Sequence, residues 1–357
     1  MLIVRSPVRI SFGGGGTDLP SYYEQFGGAV LSASINKYFH TILKKRNDGR
    51  IQIISSDLRV METWRDISRM ELKQSELAIP LAAIKELGCN ISVDLFLASE
   101  IVAGTGLGSS ASVCVGVLKT LATYMDLPLS KYELAEQAYH IARNVLGKPV
   151  GKQDEYAAAF GGLNHITFHR DGSTHVEPLR LRPEIVREFE SSLMLFFTGA
   201  AHNSWGLLET QEQNTKKRLG ATVDSLHEIR ALADRMRDAL QQGDFLSFGS
   251  MLHEGWQAKK KISAEISTSQ IDQAYEAAIA AGALGGKIAG AGGGGFLLVF
   301  CQEQFQDKVR HALGEVGIRE MAFEFDFDGA HVVASDPFID SDEKCGMQWV
   351  FSPVEAR

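Results

Sequence analysis

The chain has 357 residues, 45% of them hydrophobic and 22% charged, with a formal net charge of −8. That length suits two domains at roughly 150 residues each. The acidic balance excludes a surface built to grip nucleic acid or an anionic membrane, so any anion site has to be local.

Taken in order, Leu2 to Ser11 is apolar and β-rich and runs into the glycine cluster Gly13 to Gly16, followed by Thr17-Asp18-Leu19-Pro20. Ala29 to Lys45 reads as extended, and Asn47-Asp48-Gly49 is a hairpin signal ahead of a strand at 51–54. A helix is expected from Ala78 to Leu87, closed by Gly88, with Pro80 in its first turn. A strand follows at 91–98, then the string VAGTGLGSSAS at 102–112, then a helix to about Tyr124. Ser130 opens a helix to Leu146 with the capping box Ser130-Lys131-Tyr132-Glu133.

Beyond Asp154 and the short apolar run Tyr156 to Phe160, strands are expected near 163–169, 174–179 and 193–198, with a short helix at 183–190. Leu219, Thr222, Leu226, Ile229, Ala233, Met236 and Leu240 step by three and four, which predicts a long helix, and 245–261 continues helical. A helix at 271–281 leads to the third glycine string, Gly290 to Gly295, which enters a strand at 296–300. A last helix at 303–313, strands near 320–326 and 330–334, and a tail from 336 complete the chain. Helices grouped between runs of strands point to an α+β fold, not one doubly wound sheet.

The four cysteines, Cys89, Cys114, Cys301 and Cys345, form no C-x-x-C pair, as expected of reduced thiols without structural zinc. No secretory leader precedes Arg5 and no apolar run reaches ~18 residues, so a cytoplasmic chain without a membrane span is expected.

The chemistry concentrates at 102–112. Gly104, Gly106 and Gly108 precede Ser109, Ser110 and Ala111 at a helix start. Glycines let backbone N–H groups approach a phosphate, and the helix dipole favours negative charge there. Two hydroxyls suit phosphate oxygens or Mg²⁺. It is not a Walker A loop, because no glycine-lysine pair is followed by Ser or Thr, and the dinucleotide fingerprint G-x-G-x-x-G fails at Ser109. The plain alternative is a flexible helix cap.

Three strings occur in order: SPVRISFGGGGTD, GTGLGSSAS and KIAGAGGGG. Together they make the chain resemble the GHMP kinases over nearly its whole length. The GGGGTD form and the string GKQDEYAAAFGG are most similar, within that family, to the D-glycero-D-manno-heptose 7-phosphate kinases, with fucokinase-type domains the nearest rival. The resemblance implies two domains, an N-terminal one like domain 2 of ribosomal protein S5 over 1–190 and a ferredoxin-like one over 191–335, with a C-terminal tail at 336–357. It also implies ATP-dependent phosphorylation of a sugar hydroxyl, here the anomeric one of a sugar phosphate.

By residue, the resemblance places the ATP phosphates at Gly104, Gly106, Leu107, Gly108, Ser109, Ser110 and Ala111, with Ser110 as a Mg²⁺ ligand. Asp154 stands at the catalytic aspartate position, and Arg9 would keep it ionised. Gly15, Gly16, Thr17 and Asp18 would meet the sugar, as would Lys152, Gly292 and Gly293. Gly15-Gly16 stand where galactokinase-like chains carry Glu-His, which leaves room for a bulkier sugar. Ala142 and Arg143 stand where many relatives place a metal-binding glutamate, which leaves Mg²⁺ to Ser110, ATP and water, or to Asp154 itself.

Cations for a distal phosphate would come from Lys44, Lys45, Arg46, Lys152 or His202; the runs 216–218 and 259–261 read as solvated helix faces. Trp64, Trp205 and Trp256 read as core. A homodimer is compatible with the resemblance. The remaining alternatives are a kinase for L-fucose or another unphosphorylated sugar, a non-enzymatic sugar sensor on the same fold and, most distantly, a dinucleotide oxidoreductase.

Overall fold

A computed structural model describes residues 1–66, 72, 75–88, 91–199, 204–217 and 220–336. The first sheet is built on two long neighbours, β1 (Leu2–Gly13) and β2 (Gly28–Lys45), paired antiparallel with Arg9 opposite Ser34. β1 alternates buried and half-buried residues at its start and is buried throughout its second half, because there the sheet is covered on both faces. β3 (Ile51–Ser55), β4 (Val60–Trp64) and β5 (Val93–Ser99) extend the sheet in the order β1-β2-β5-β3-β4, and the β3–β5 pair is parallel. β6 (Leu163–Phe168) pairs with the first half of β2 and with β7 (Thr174–Pro178).

The helices of this half are α1 (Pro20–Phe26), α2 (Ala78–Glu86), α3 (Ser109–Tyr124), α4 (Lys131–His140) and α5 (Gln153–Phe160). α3 lies against β1 and β2, with α2, α4 and α5 packed around it. The capping box on α4 is complete: Ser130 Oγ accepts from the Glu133 amide and Glu133 returns a carboxylate oxygen to the Ser130 amide at 2.8 Å. The single helix expected to Leu146 does not form, since residues Ile141–Val145 widen into a π-helical turn. The apolar run Tyr156 to Phe160 lies in α5, whose Ala157, Ala158 and Ala159 are each 1% exposed.

α6 (Pro183–Ser191) leads into the second sheet, made of β8 (Leu193–Phe197), β9 (Gly285–Ile288), β10 (Phe296–Phe300) and β11 (Arg319–Glu320). Its order β11-β8-β10-β9 is wholly antiparallel. Read along the chain, the strands and main helices run β-α-β-β-α-β with order 4-1-3-2, the ferredoxin-like arrangement. The intervening helices are α7 (Ser204–Lys216), α8 (Gly220–Gln242), α9 (Phe245–Lys260) and α10 (Ser269–Ala280), with α11 (Glu303–Glu315) before β11. The strand expected at 320–326 shrinks to β11 and a single bridge between Ile35 and Phe325.

The second half packs on the first. Phe12 of β1 meets Phe189 of α6 at 5.3 Å and Phe248 of α9 at 5.6 Å, and Leu232 and Met236 of α8 join the same apolar cluster. β12 (His331–Ser335) returns to the first sheet and pairs with β1, covering its outer edge. No described helix is long and apolar enough to cross a membrane. Trp256 is fully buried and Trp64 packs half-buried on the first core, as expected. Trp205 is 40% exposed with the Lys148 ammonium 3.5 Å from its ring centre, so it is not core.

Candidate active site

Arg9 sits midway along β1 and Asp154 in the first turn of α5, two elements packed side by side. The guanidinium forks onto the carboxylate, Nε to Oδ1 and Nη2 to Oδ2, both at 2.8 Å. Its remaining Nη1 donates to the Gly106 carbonyl at 2.6 Å, and the Arg9 amide donates to the Leu107 carbonyl at 2.9 Å. Arg9 therefore fixes the glycine loop and the carboxylate with one side chain. Its side chain is 4% exposed, whereas that of Asp154 is 28% exposed, so the carboxylate still opens onto solvent.

The loop comes against the same pair. A Cβ added at Gly108 would lie 3.1 Å from Asp154 Oδ2 and 3.4 Å from Arg9 Cγ. Gly108 has φ +78° and caps α3, whose first turn holds Ser109 and the exposed Ser110. The first amides of a helix have no partner within it, so this end is suited to an anion. Leu107 is buried, and Ala111 starts the apolar face of α3.

Asp18 is the second carboxylate. Its Oδ1 accepts from the Gly16 amide at 2.9 Å and its Oδ2 from the Gln153 amide at 3.2 Å, which links the first glycine string to the residue before Asp154. Burial, then the charge of Asp154, raises its pKa above the usual carboxylate range. Thr17 closes the turn, its hydroxyl donating to the Gly14 and Ala29 carbonyls. Gly15 faces the Ser11–Gln153 side-chain pair, joined at 2.9 Å.

Several expected contacts go elsewhere. Lys152 is 4% exposed, and its ammonium donates to Glu136 and to the Gly172 carbonyl, each at 2.7 Å, with the Tyr139 ring 5.2 Å away. Gly292 and Gly293 pack against Ile266: the Gly293 amide donates to the Ile266 carbonyl at 2.9 Å, and a Cβ at Gly292 would meet that carbonyl at the same distance. Lys44 and Lys45 end β2 and Arg46 follows it, ten or more residues from Ser34, the partner of Arg9, a separation of roughly 30 Å along a strand. Arg46 is taken up by Asp48 and Asp94. His202 lies outside the described residues.

Two more basic residues reach the site: Lys259, from the run expected on a solvated helix face, and Lys287, the first residue of the third string, which had no role assigned. Lys259 of α9 and Lys287 of β9 are each only 7% exposed. The Lys259 ammonium donates to the Gly290 carbonyl, and Lys287 donates to the Ser11 carbonyl at 2.8 Å. The available signal was the stripe Phe248, Leu252, Trp256, Lys259, which steps by four and three along α9 and marks Lys259 as inward-facing. Glu155, beside Asp154, is also buried. One of its oxygens has no hydrogen-bond partner, and burial, reinforced by the charges of Asp154 and Asp18, holds its pKa well above the usual range.

The comparisons with known proteins identify the family. Residues 77–162 match the GHMP kinases N terminal domain and residues 236–319 match the GHMP kinases C terminal domain. The chain is 35% identical over 305 residues to a D-glycero-alpha-D-manno-heptose 7-phosphate kinase from Campylobacter jejuni, covering 83% of this chain and 88% of the relative. The chain belongs to the GHMP kinase family.

Among solved structures, a D-glycero-D-manno-heptose 1-phosphate kinase from Bacteroides thetaiotaomicron superposes with a TM-score of 0.77 at 31% identity, over 93% of this chain and 98% of that one. A bifunctional L-fucokinase/L-fucose-1-P guanylyltransferase from Bacteroides fragilis is 26% identical over 87% of this chain and 36% of its own length. As a GHMP kinase related to heptose phosphate kinases, the protein is an ATP-dependent sugar kinase with the two-domain fold of its family.

Proposed function

We propose that this kinase transfers the γ-phosphoryl group of ATP to the anomeric hydroxyl of D-glycero-D-manno-heptose 7-phosphate, giving the 1,7-bisphosphate for nucleotide-activated heptose synthesis. The observation that carries the chemistry is the Arg9–Asp154 fork set against Gly108 of the phosphate loop. The sugar assignment rests on the heptose kinase relative.

Phosphoryl transfer asks little covalent work of a protein; it needs a positioned nucleophile, in-line geometry and neutralised charge. Asp154 takes the proton of the attacking hydroxyl as a bond forms from that oxygen to the γ-phosphorus. The bond from phosphorus to the β,γ-bridging oxygen breaks, and ADP leaves with that electron pair. Arg9 aims the carboxylate and keeps a positive charge beside it. The loop amides from Gly104 to Ala111 bind the triphosphate, and Gly15, Gly16 and Asp18 orient the sugar.

Divalent metal fits this site only as a companion of the nucleotide. Both Asp154 oxygens are on Arg9, and no group of three His, Cys, Asp or Glu side chains that could hold an ion occurs among the described residues. Ser110 is the protein oxygen suited to a Mg²⁺ that enters with ATP, where it screens phosphate charge. A cavity of about 420 Å³ behind the loop before Lys152 is lined by Arg143, Lys148 and Lys216 together with Glu209 and Glu212. Within it Glu212 holds both Arg143 and Lys216, and Lys148 lies over the Trp205 ring.

ADP release with Mg·ATP, measured across heptose 7-phosphate, free heptose, mannose, fucose and galactose, tests the reading. Turnover confined to heptose 7-phosphate is expected. Turnover on a neutral sugar alone would overturn the heptose phosphate assignment while leaving the kinase chemistry in place.

A further inference from the structure

The Arg9–Asp154 pair accounts for one buried basic side chain, but the site holds two more, and burial with the charges of Lys259 and Arg9 holds the Lys287 pKa well below the ordinary lysine range. Lys259 enters from α9, Lys287 from β9 and Arg9 from β1, and the two ammonium groups are as deeply buried as the core around them. Among the described residues neither lysine has a carboxylate partner. Lys259 holds the Gly290 carbonyl; Lys287 holds the carbonyls of Ser11 and Phe12, next to Arg9 in the strand. Buried charge without a counter-ion is costly, so such a cluster is stable when an anion completes it or when a lysine gives up its proton.

Lys259 is placed at the seam of the two phosphate-side loops. A Cβ on Gly290, whose carbonyl Lys259 holds, would lie 2.6 Å from Gly106 Cα, and Gly106 is the residue whose carbonyl Arg9 holds. The two side chains thus each hold one of the touching loops, with Asp18 and Asp154 nearby. We propose that Lys259 is a phosphate-binding cation of the C-terminal half, its ammonium meeting oxygens of the transferring phosphoryl group. This rests on the kinase reading but on no particular sugar.

Burial first, and then repulsion from Arg9, lowers the Lys259 pKa to about 8, with Asp18 acting in the other direction. The groups facing it are Arg9 from β1, Asp18 from the turn before α1 and Lys287 from β9, while Lys260 on its own helix is drawn to Asp272. An arriving phosphate favours the charged form, so nucleotide binding near pH 8 should take up roughly half a proton.

The test uses the whole enzyme with Lys259→Met and Lys259→Arg. Mg²⁺ and the non-hydrolysable analogue AMP-PNP are titrated at pH 8 by calorimetry in two buffers of different ionisation enthalpy, and ADP release is measured in parallel. The wild type is expected to show proton uptake that Lys259→Met lacks. Lys259→Met should lose ~10- to 100-fold in kcat or in analogue affinity, the size of one charge-assisted hydrogen bond, with Lys259→Arg partly restoring it. Absence of proton uptake in the wild type, or Lys259→Met with unchanged uptake, kcat and affinity, would overturn the proposal. If no sugar is turned over, the acceptor assignment fails and the binding measurement still decides the role of Lys259.

Discussion

Asp154 illustrates how one residue's surroundings define its work. Both carboxylate oxygens are held by Arg9, yet the side chain remains partly open, so it is aimed and reachable together. Asp18, by contrast, is locked by two backbone amides and ties the Gly16 turn to the residue before Asp154. Asp154→Asn keeps the shape and removes the base. Turnover should fall ~100-fold or more while Mg·ATP affinity stays near that of the wild type. Calorimetry and ADP release on the same preparation check both halves, and near-normal turnover would remove Asp154 from the proton-accepting role. At this scale the sequence was informative for Arg9, Asp18 and Asp154, because each stands in a string that carries the resemblance to the family, and the fold brings the three together. It was misleading for Lys152, which finds Glu136 and Tyr139, contacts made between α4 and the loop before α5 that no local pattern reveals.

The glycine strings act as elements in their own right. At Gly106 the backbone has φ +82°, and a Cβ would lie 2.4 Å from the Ala289 carbonyl, so the second loop needs a residue without a side chain both for its turn and for its contact with the third. Gly295 repeats the arrangement, its Cβ position 2.2 Å from the Thr105 carbonyl. The third string is therefore a backbone-to-backbone buttress for the phosphate loop. Gly106→Val should open this seam and weaken nucleotide binding by at least ~10-fold, about 1.4 kcal/mol. A titration with Mg·ATP checks it, and unchanged affinity would remove the loop from the nucleotide site.

Most helices and strands were legible from apolar period and punctuation, as with the capping box at Ser130 and the step pattern of α8. The π-helical turn at 141–145 was not, since it continues the periodicity of α4 and is distinguished only by hydrogen bonding. Lys259 was hidden because three successive lysines suggest a solvated face, while the buried stripe along α9 passes through only the first.

Across the whole molecule, two sheets share one buried region between β1, β2, α8 and α9, and β12 returns from the C-terminal half to pair with β1. That return could not be read from the sequence, because strand pairing across most of the chain length leaves no local trace. The site lies where the two halves meet, and the burial that builds it carries a cost in Glu155. Its pKa is raised in the folded protein, so the native state holds a proton that the unfolded chain releases above about 4.5. The stability linked to that proton is fully present below the unfolded value and is lost as pH rises through the raised folded value. Glu155→Gln removes the titration. Chemical denaturation at pH 5 and pH 8 should therefore show the wild type losing stability relative to the variant as the pH rises. Parallel pH profiles would show that Glu155 does not titrate in this window.

The most direct measurement of the central claim is phosphorus NMR of the product formed from D-glycero-D-manno-heptose 7-phosphate and Mg·ATP. The account predicts a second sugar phosphate resonance coupled to the anomeric proton, appearing in step with ADP and absent with Asp154→Asn. A phosphate on any other carbon, or no sugar product from an enzyme that consumes ATP with another acceptor, would contradict it.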